Sequence, residues 1–472
     1  MKFINRENEI YLLKEARKLS ANKLFSVSIS GLRRIGKTRL ILEVLGKEDL
    51  YFFVNKEKRS ESLLEEYEEI LKERKIMGEL EKLGNWDDFF KVIFERFNGV
   101  VAFDEFQNFY FVDKSVYGIL QKYIDLNENR KKLMLIFSGS LIGLLKRLFF
   151  DRKEPLYGRI KRKIILGQLS FKSVFQMCKE LGISNVEDVI KLYSVFGGFP
   201  KYYVTIEDEN LQGENFQKII DNLFFSINAV LEDEVNQILS LEFGKRSGIY
   251  YDILCAIANG NTKISEIASF LRKKETAITR QIDELKNYFE IIDVEESLIN
   301  KKKMLYIKHP VMNFWFRYFY KNLSAFKRRE EWLIRKIKND LNTYIGRRFE
   351  RICTELIPAL FSEKYQQIGK WWGFYRDEDN KRKTMEIDIV ALNDQTKEIL
   401  FAECKWKENV NAEEILNKLK ENAKHVNWLN NERKELYAIF AKSFKKKIKE
   451  FNGSPVYCFD LKDLEKAVKR KI

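Results

Sequence analysis

Short uninterrupted apolar runs alternate with helix-period segments through the first third of the chain. "FSVSIS" (25–30) reads as a buried strand and "RLILEVLG" (39–46) as an apolar-periodic helix; "GVVAFDEFQ" (99–107) and "KLMLIFSGS" (132–140) read as further buried strands ending in polar residues. From 248 the period changes. "GIYYDILCAIANG" is an amphipathic helix closed by Gly260, "KISEIASFL" (263–271) is a second, and "KETAITRQIDELKNYFEII" (274–292) carries a third into a strand. "IIDVEESLINKKKMLYIKHP" then holds two short strand runs about a polar turn, which completes the three-helix-plus-hairpin order of a winged helix-turn-helix. The aromatic-rich "HPVMNFWFRYFY" (309–320) predicts a helix buried between modules. Later the period becomes two: "TMEIDIVAL" (384–392) and "ILFAECKWK" (399–407) alternate, with Asp394, Gln395, Thr396 and Lys397 as turn residues between them.

Composition sets the scale and the class of partner. A chain of 472 residues is too long for one core and predicts about three or four domains, and 45% hydrophobic residues suffice to pack them. The excess of 85 Lys+Arg over 70 Asp+Glu gives a net charge of +15, which favours polyanions and makes nucleic acid, DNA first, the expected partner. Five cysteines without a CxxC pair, and only two histidines (His309 and His425), argue against structural zinc and for a reducing cytoplasmic setting. "MKFINRENEI" lacks the apolar core of a signal peptide. The 13 residues of "LMLIFSGSLIGLL" fall short of the roughly 20 a membrane span needs, so no membrane association is expected.

Between the first strand and its helix lies "GLRRIGKT": Gly31, Leu32, Arg33, Arg34, Ile35, Gly36, Lys37 and Thr38 in the register G-x-x-x-x-G-K-[ST]. Glycines at these positions let backbone amides curl round phosphate oxygens at a helix N-terminus. Lys37 would reach the β- and γ-phosphates of ATP, and Thr38 would ligate Mg²⁺. The strand ending at Asp104 supplies a carboxylate to hold that Mg²⁺, and Glu105 would orient or deprotonate the attacking water. Ser138 or Ser140, at the end of the next strand, stands where a γ-phosphate sensor is expected.

A second chemistry sits in the period-two segment. If the two strands pair symmetrically about the bond between residues 395 and 396, Asp388 lies opposite Glu403, and Glu386 opposite Lys405. Opposed carboxylates repel unless a cation neutralises them, and hard carboxylate oxygens suit Mg²⁺. In the helical module, Thr276, Thr279 and Arg280 would lie on an exposed recognition face with Lys301, Lys302 and Lys303 in the wing, groups suited to phosphate and base-edge contacts.

Several of these motifs carry a resemblance. "FINRENEI", "GLRRIGKT", "DEFQ", "PLYGR" (155–159) and "GGFPKYY" (197–203) together resemble the archaeal ATPase family, an AAA+-related branch close to the signal-transduction ATPases. Leu32 departs from the family's usual Arg and leaves the phosphate-binding positions intact. The resemblance implies that Arg159 contacts a phosphate, in its own site or that of a neighbouring subunit of a homo-oligomer, and that Pro200 sits in a helical lid near the adenine. From the residues alone, Gly197, Gly198 and Pro200 show only a tight bend after a helix. Asp388 with Glu403-x-Lys405 resembles the D…E-x-K signature of restriction-endonuclease-like, PD-(D/E)XK, domains over roughly residues 330 to 472, with Ile387 in place of the motif's Pro. That resemblance implies metal ligation by Asp388, Glu403 and an upstream-helix Glu, for which Glu350 qualifies, and a Lys405 that positions the nucleophile or stabilises developing charge.

The expected architecture is an α/β multidomain chain. It comprises a P-loop AAA+-like parallel sheet (1–165), a helical lid (166–245), a winged helix (246–325) and an α/β endonuclease-like domain (326–472). Three functions fit it: an ATP-driven nucleic-acid enzyme with a metal-dependent nuclease, a nucleotide switch whose C-terminal domain only binds nucleic acid or a partner, and a helicase-like remodeller, for which no further motif exists.

Overall fold

The computed structural model describes residues 3–243, 248–376 and 382–469. Its N-terminal sheet has strands β1 (Phe25–Gly31), β2 (Leu50–Phe53), β3 (Gly99–Asp104), β4 (Leu133–Gly139) and β5 (Arg162–Leu166), all parallel in the order β2-β3-β4-β1-β5. Every residue of β1 and β4 is buried, as a parallel sheet covered by helices on both faces requires. One face packs on an aromatic cluster that includes Phe52, Phe89, Phe103 and Phe137. The other face belongs to a core that runs on through the following helices and into the C-terminal sheet.

Helices from Phe171 to Phe243 follow. Then come helices Gly248–Ala258 and Ile264–Phe270 and a hairpin of β6 (Ile292–Glu296) and β7 (Lys303–Ile307). The third helix expected to run into a strand over 274–292 is present but starts late: after a 3₁₀ turn at Glu275–Ala277 it runs from Thr279 to Tyr288, its last turn of π type, and β6 follows at Ile292. The β-branched Thr276 and Ile278 crowd the preceding turn and disfavour regular helix there. The aromatic segment forms helix Pro310–Tyr318, with Val311, Met312, Phe314, Trp315 and Phe316 buried.

The 30-residue helix Glu331–Leu360 leads into a mixed sheet. Its strands are β8 (Gln367–Arg376), β9 (Arg382–Asn393), β10 (Glu398–Lys405), β12 (Lys434–Ala441), β14 (Glu450–Phe451) and β15 (Ser454–Phe459), in the order β14-β15-β12-β10-β9-β8; β11 (Val410–Asn411) and β13 (Phe444–Lys446) form a separate ribbon. β9 and β10 are antiparallel with Asn393 opposite Glu398 and Ile389 opposite Ala402, the register the symmetric turn implies. Against β8, Val390 pairs with Gly369 and Ile387 with Trp371, so Asp388 and Ile389 together oppose the single Lys370. This β-bulge falls at Asp388, where a bulge re-aims a side chain.

Candidate active sites at the two sheets

The loop after β1 turns tightly because its residues allow it. Gly36 has φ +96°, and a Cβ on Gly31 would sit 2.9 Å from the Leu166 carbonyl oxygen. Gly36 leads into helix Lys37–Val44 without a side-chain cap, so the first-turn amides stay available to an anion. The Lys37 ammonium folds back onto the carbonyls of Gly31 (2.9 Å) and Leu32 (3.2 Å). Burial lowers its pKa in spite of the nearby Glu105 and Asp104 carboxylates.

Asp104 closes the other side of the site. Its carboxylate accepts hydrogen bonds from the Thr38 hydroxyl (2.6 Å), the Tyr51 hydroxyl (3.0 Å) and Ser138. The two oxygen ligands expected for Mg²⁺, Thr38 and Asp104, are thus adjacent, and their hard donors fit such a cation. Glu105 has a left-handed backbone (φ 53°), and its carboxylate accepts from the Ser140 hydroxyl at 2.8 Å and from Gln107. Burial pushes the Glu105 pKa up, but the charges of Lys37 and Arg33 outweigh it and leave the carboxyl below its ordinary value.

The surrounding elements close over this loop. Arg33 donates to Glu242 (2.6 Å) and Arg34 to Glu234 (2.9 Å), both on helix Glu234–Phe243. The space left beside Arg33 and Ser140 is about 10 Å³, walled by Glu242, Phe289, His309 and Met312, room for about one water. Pro200 lies beside Gly36, about 4.0 Å from where its Cβ would be. His309, given no role from the sequence, packs its ring on Phe199 with centroids 4.0 Å apart, and burial with the Arg34 charge lowers its pKa to about 3. Arg159 lies elsewhere. Its guanidinium pairs with both oxygens of Asp125 (2.8 and 2.7 Å), and its carbonyl accepts from Ser26 near the start of β1, while the P-loop is at that strand's other end. It takes no part in this chain's own P-loop site.

At the C-terminal sheet, Glu350, Asp388, Glu403 and Lys405 line one cleft of about 890 Å³. Asp388 accepts a hydrogen bond from the Cys404 amide at 2.9 Å, which ties the bulge of β9 to β10. Lys405 pairs with Glu403, its strand neighbour two residues away, and Glu386 lies 3.4 Å from Lys370; the expected Glu386–Lys405 opposition gives no ion pair. Lys370 was not singled out by any sequence pattern. It bonds Glu350 at 2.8 Å, and although burial alone would lower its pKa, Glu350 and Glu386 together raise it. Burial, then the charges of Glu350 and Glu403, push Asp388 up to about 8. Burial likewise raises Glu350 against the pull of Lys370.

These donors have the hard-oxygen chemistry Mg²⁺ takes. Among the described residues, however, no three His, Cys, Asp or Glu side chains converge as a metal-binding group; Lys370 and Lys405 pair with Glu350 and Glu403 instead. Among the described residues no helix is long and apolar enough to cross a membrane.

A parallel sheet with a glycine-rich loop after β1, a lysine and threonine opening the next helix, and an acidic pair closing β3 define a P-loop ATPase fold. Residues 3–206 match the family described as an ATPase domain predominantly from Archaea, and residues 315–417 match one described as "Archaea bacterial proteins of unknown function". The chain is 31% identical to an uncharacterised protein of Methanocaldococcus jannaschii over 98% of this chain and 99% of that one, and it belongs to this archaeal ATPase family. The Walker-type ATPase of Pyrococcus abyssi is similar in fold, at 22% identity and a TM-score of 0.53 over 67% of this chain and 96% of its own. An ORC2 protein of Aeropyrum pernix, solved as ADPNP and ADP complexes, aligns over 72% of this chain and 96% of its own at 13% identity and a TM-score of 0.47.

Proposed function

We propose that the chain is an ATP-hydrolysing enzyme that also carries a Mg²⁺-dependent phosphodiesterase site for nucleic acid, DNA first, in its C-terminal sheet. The observation that carries the second half is the β9 bulge and the β9–β10 register, which gather Asp388, Glu403 and Lys405 with Glu350 of the long helix in one cleft. In this reading residues 1–165 form the ATPase domain, 166–245 its lid, 246–325 a winged helix and 326–472 an endonuclease-like domain.

At the P-loop, Lys37 would exchange its carbonyl partners for the β- and γ-phosphates, and the open amides of the following helix would cradle them. Thr38 and Asp104 would hold Mg²⁺, and Glu105, kept ionised by Lys37 and Arg33, would accept the proton of the attacking water. Ser140 would orient Glu105 through the hydroxyl contact it already makes. At the second site, Glu350, Asp388 and Glu403 would become the metal ligands only once Glu350 leaves Lys370 and Glu403 leaves Lys405, and the released Lys405 would lie against the developing negative charge. A bound Mg²⁺ there would polarise the phosphodiester and lower the pKa of a water.

The test is cleavage of plasmid and of labelled single-stranded DNA with Mg²⁺ or Mn²⁺, with and without ATP. Wild type is expected to cut, and Asp388→Ala and Lys405→Ala to lose at least about 100-fold, the scale of removing one charge-stabilising group. Wild type that hydrolyses ATP and never cuts would remove the phosphodiesterase half.

A second reading, a nucleotide switch, has its own observation. The P-loop arginines are latched to Glu234 and Glu242 of helix Glu234–Phe243, so a nucleotide that draws Arg33 or Arg34 to its phosphates would break those ion pairs and free that helix. ATP binding would then drive rearrangement whether or not the second site cuts.

A further inference from the structure

The geometry points to a single-stranded nucleic acid bound across a composite track, made by hairpin β6–β7 on one side of the carboxylates and by the arginine face of the long helix on the other. The inference rests on the phosphodiesterase reading for what happens at the centre of the track, and stands apart from it for where the strand binds. Two clefts meet at the carboxylates. The first, of about 890 Å³, takes Lys302 and Lys303 from the hairpin, Lys263 from the helical module and Lys418 from helix Ala412–Ala423, which packs on the C-terminal sheet. The second, of about 670 Å³, takes Arg347, Arg348 and Arg351 from helix Glu331–Leu360. Met304, Glu350, Glu386 and Asp388 line both. Glu295 and Glu296 line the second cleft as well, and Glu296 takes Lys303 at 3.0 Å, so the track is basic at its arms and acidic at its middle.

That alternation suits a phosphodiester chain, with ammonium and guanidinium groups on flanking phosphates and the carboxylates, with a cation, at one. The hairpin is fixed in place for this role. The Leu298 amide donates to the Lys370 carbonyl at 2.9 Å, the Trp372 amide donates to the Ser297 hydroxyl at 3.1 Å, and the Asn300 side-chain amide donates to the Trp372 carbonyl. Asp388 is recessed, with 7% of its surface exposed, at the floor of clefts that the hairpin helps to line, a setting a flexible single strand follows more readily than a stiff duplex. Phe374 adds a platform: the residue is 47% exposed, with the Lys302 ammonium 4.1 Å from its ring centroid. An aromatic ring beside a cation is how sequence-tolerant proteins stack successive bases. Arg280, on the expected recognition face, pairs instead with its own neighbour Glu284 at 2.9 Å and does not line either cleft.

The experiment is fluorescence anisotropy of the full chain with a labelled 20-nucleotide single strand and with the same sequence as duplex, in EDTA across a salt series. Cleavage with Mg²⁺ is measured on the same proteins. Wild type is expected to prefer the single strand. Lys302→Ala with Lys303→Ala, and separately Arg347→Ala, should each weaken it about fivefold or more and flatten the salt slope by about 0.7 per lost phosphate contact. Phe374→Ala should weaken it at an unchanged salt slope, since stacking releases no counterions. Arg280→Ala should bind as wild type does. Binding without cleavage would remove the phosphodiesterase reading and keep the track. Absent binding, a preference for duplex, or a loss seen in Arg280→Ala but in neither the hairpin nor the Arg347 variant would overturn the track, even if cleavage persisted.

Discussion

The two candidate sites bury the same kinds of charge and satisfy them by different means. At the P-loop, Asp104 is surrounded by the hydroxyls of Thr38, Tyr51 and Ser138, and Glu105 by Ser140 and Gln107 with the charges of Lys37 and Arg33 nearby. Neutral donors fix these carboxylates without consuming a cation, so the site is preorganised and its lysine is released simply by giving up two carbonyls. At the C-terminal sheet, lysines do the work of hydroxyls. Glu350 leans on Lys370 and Glu403 on Lys405, while Asp388 has one backbone amide and is pushed up to about 8. A site whose carboxylates already compete for ammonium groups responds to a divalent cation as a rearrangement, because the cation must compete with the lysines.

The largest test of this contrast is Glu105→Gln. If hydroxyl and amide donors hold Glu105 as an ionised base, the amide should fit the same contacts and lose only the proton acceptance. ATP turnover should fall about 10²- to 10⁴-fold with nucleotide affinity nearly unchanged. Phosphate release and nucleotide titration measure the two quantities. Turnover within threefold of wild type would remove Glu105 from the chemistry and reduce the first site to a binding site.

Lys370→Ala probes the other side. Removing it leaves Glu350 and Glu386 without their ammonium partner, which should cost about 2 kcal/mol of stability in EDTA. The sharper readout is metal response. With Lys370 gone, Mg²⁺ should raise the thermal midpoint of the variant more than that of wild type, since the cation no longer competes with a lysine and binding to the folded form stabilises it. Equal Mg²⁺ responses in the two proteins would mean that the carboxylates do not take a cation where Lys370 now sits.

The sequence makes the first site far more legible than the second, for a physical reason. Phosphate binding is done by consecutive backbone amides, so its residues must be contiguous, and "GLRRIGKT" carries the loop in eight positions. The hairpin register was also readable, because four turn residues between two period-two segments leave little freedom. The bulge was not. It sets two residues of β9 against one of β8, and the pairing of two strands separated by residues 377–381 leaves no periodic trace. Lys370 was missed for that reason, since its meaning comes from the bulge opposite it. The latch from Arg33 and Arg34 to Glu242 and Glu234 spans about two hundred residues, and no local pattern reports such a pairing. The helix expected from 274 starts only at Thr279, because hydrophobic period does not report the stiffness of the β-branched Thr276 and Ile278 before it.

Tyr51 is the finest test, because it separates the hydroxyl cage from the metal chemistry within one site. It lies in β2, which no motif marks, and reaches Asp104 from the neighbouring strand at 3.0 Å, with burial and that carboxylate raising its pKa. In the structure Asp104 has Thr38 as a partner too, so deleting the Tyr51 hydroxyl there leaves two hydroxyl donors and the Glu105 amide. When Thr38 turns to Mg²⁺, Tyr51 and Ser138 are the hydroxyls left to hold the carboxylate, beside the Glu105 amide at 3.0 Å. Tyr51→Phe should therefore weaken Mg²⁺–ATP binding by about 1 kcal/mol, roughly fivefold, and leave ATP binding in EDTA unchanged. Titration of a fluorescent ATP analogue with and without Mg²⁺ reads both. An equal loss in EDTA would make Tyr51 a general support of the loop, and no loss in either would show that Thr38 and Ser138 suffice, making the hydroxyl cage less cooperative than its geometry implies.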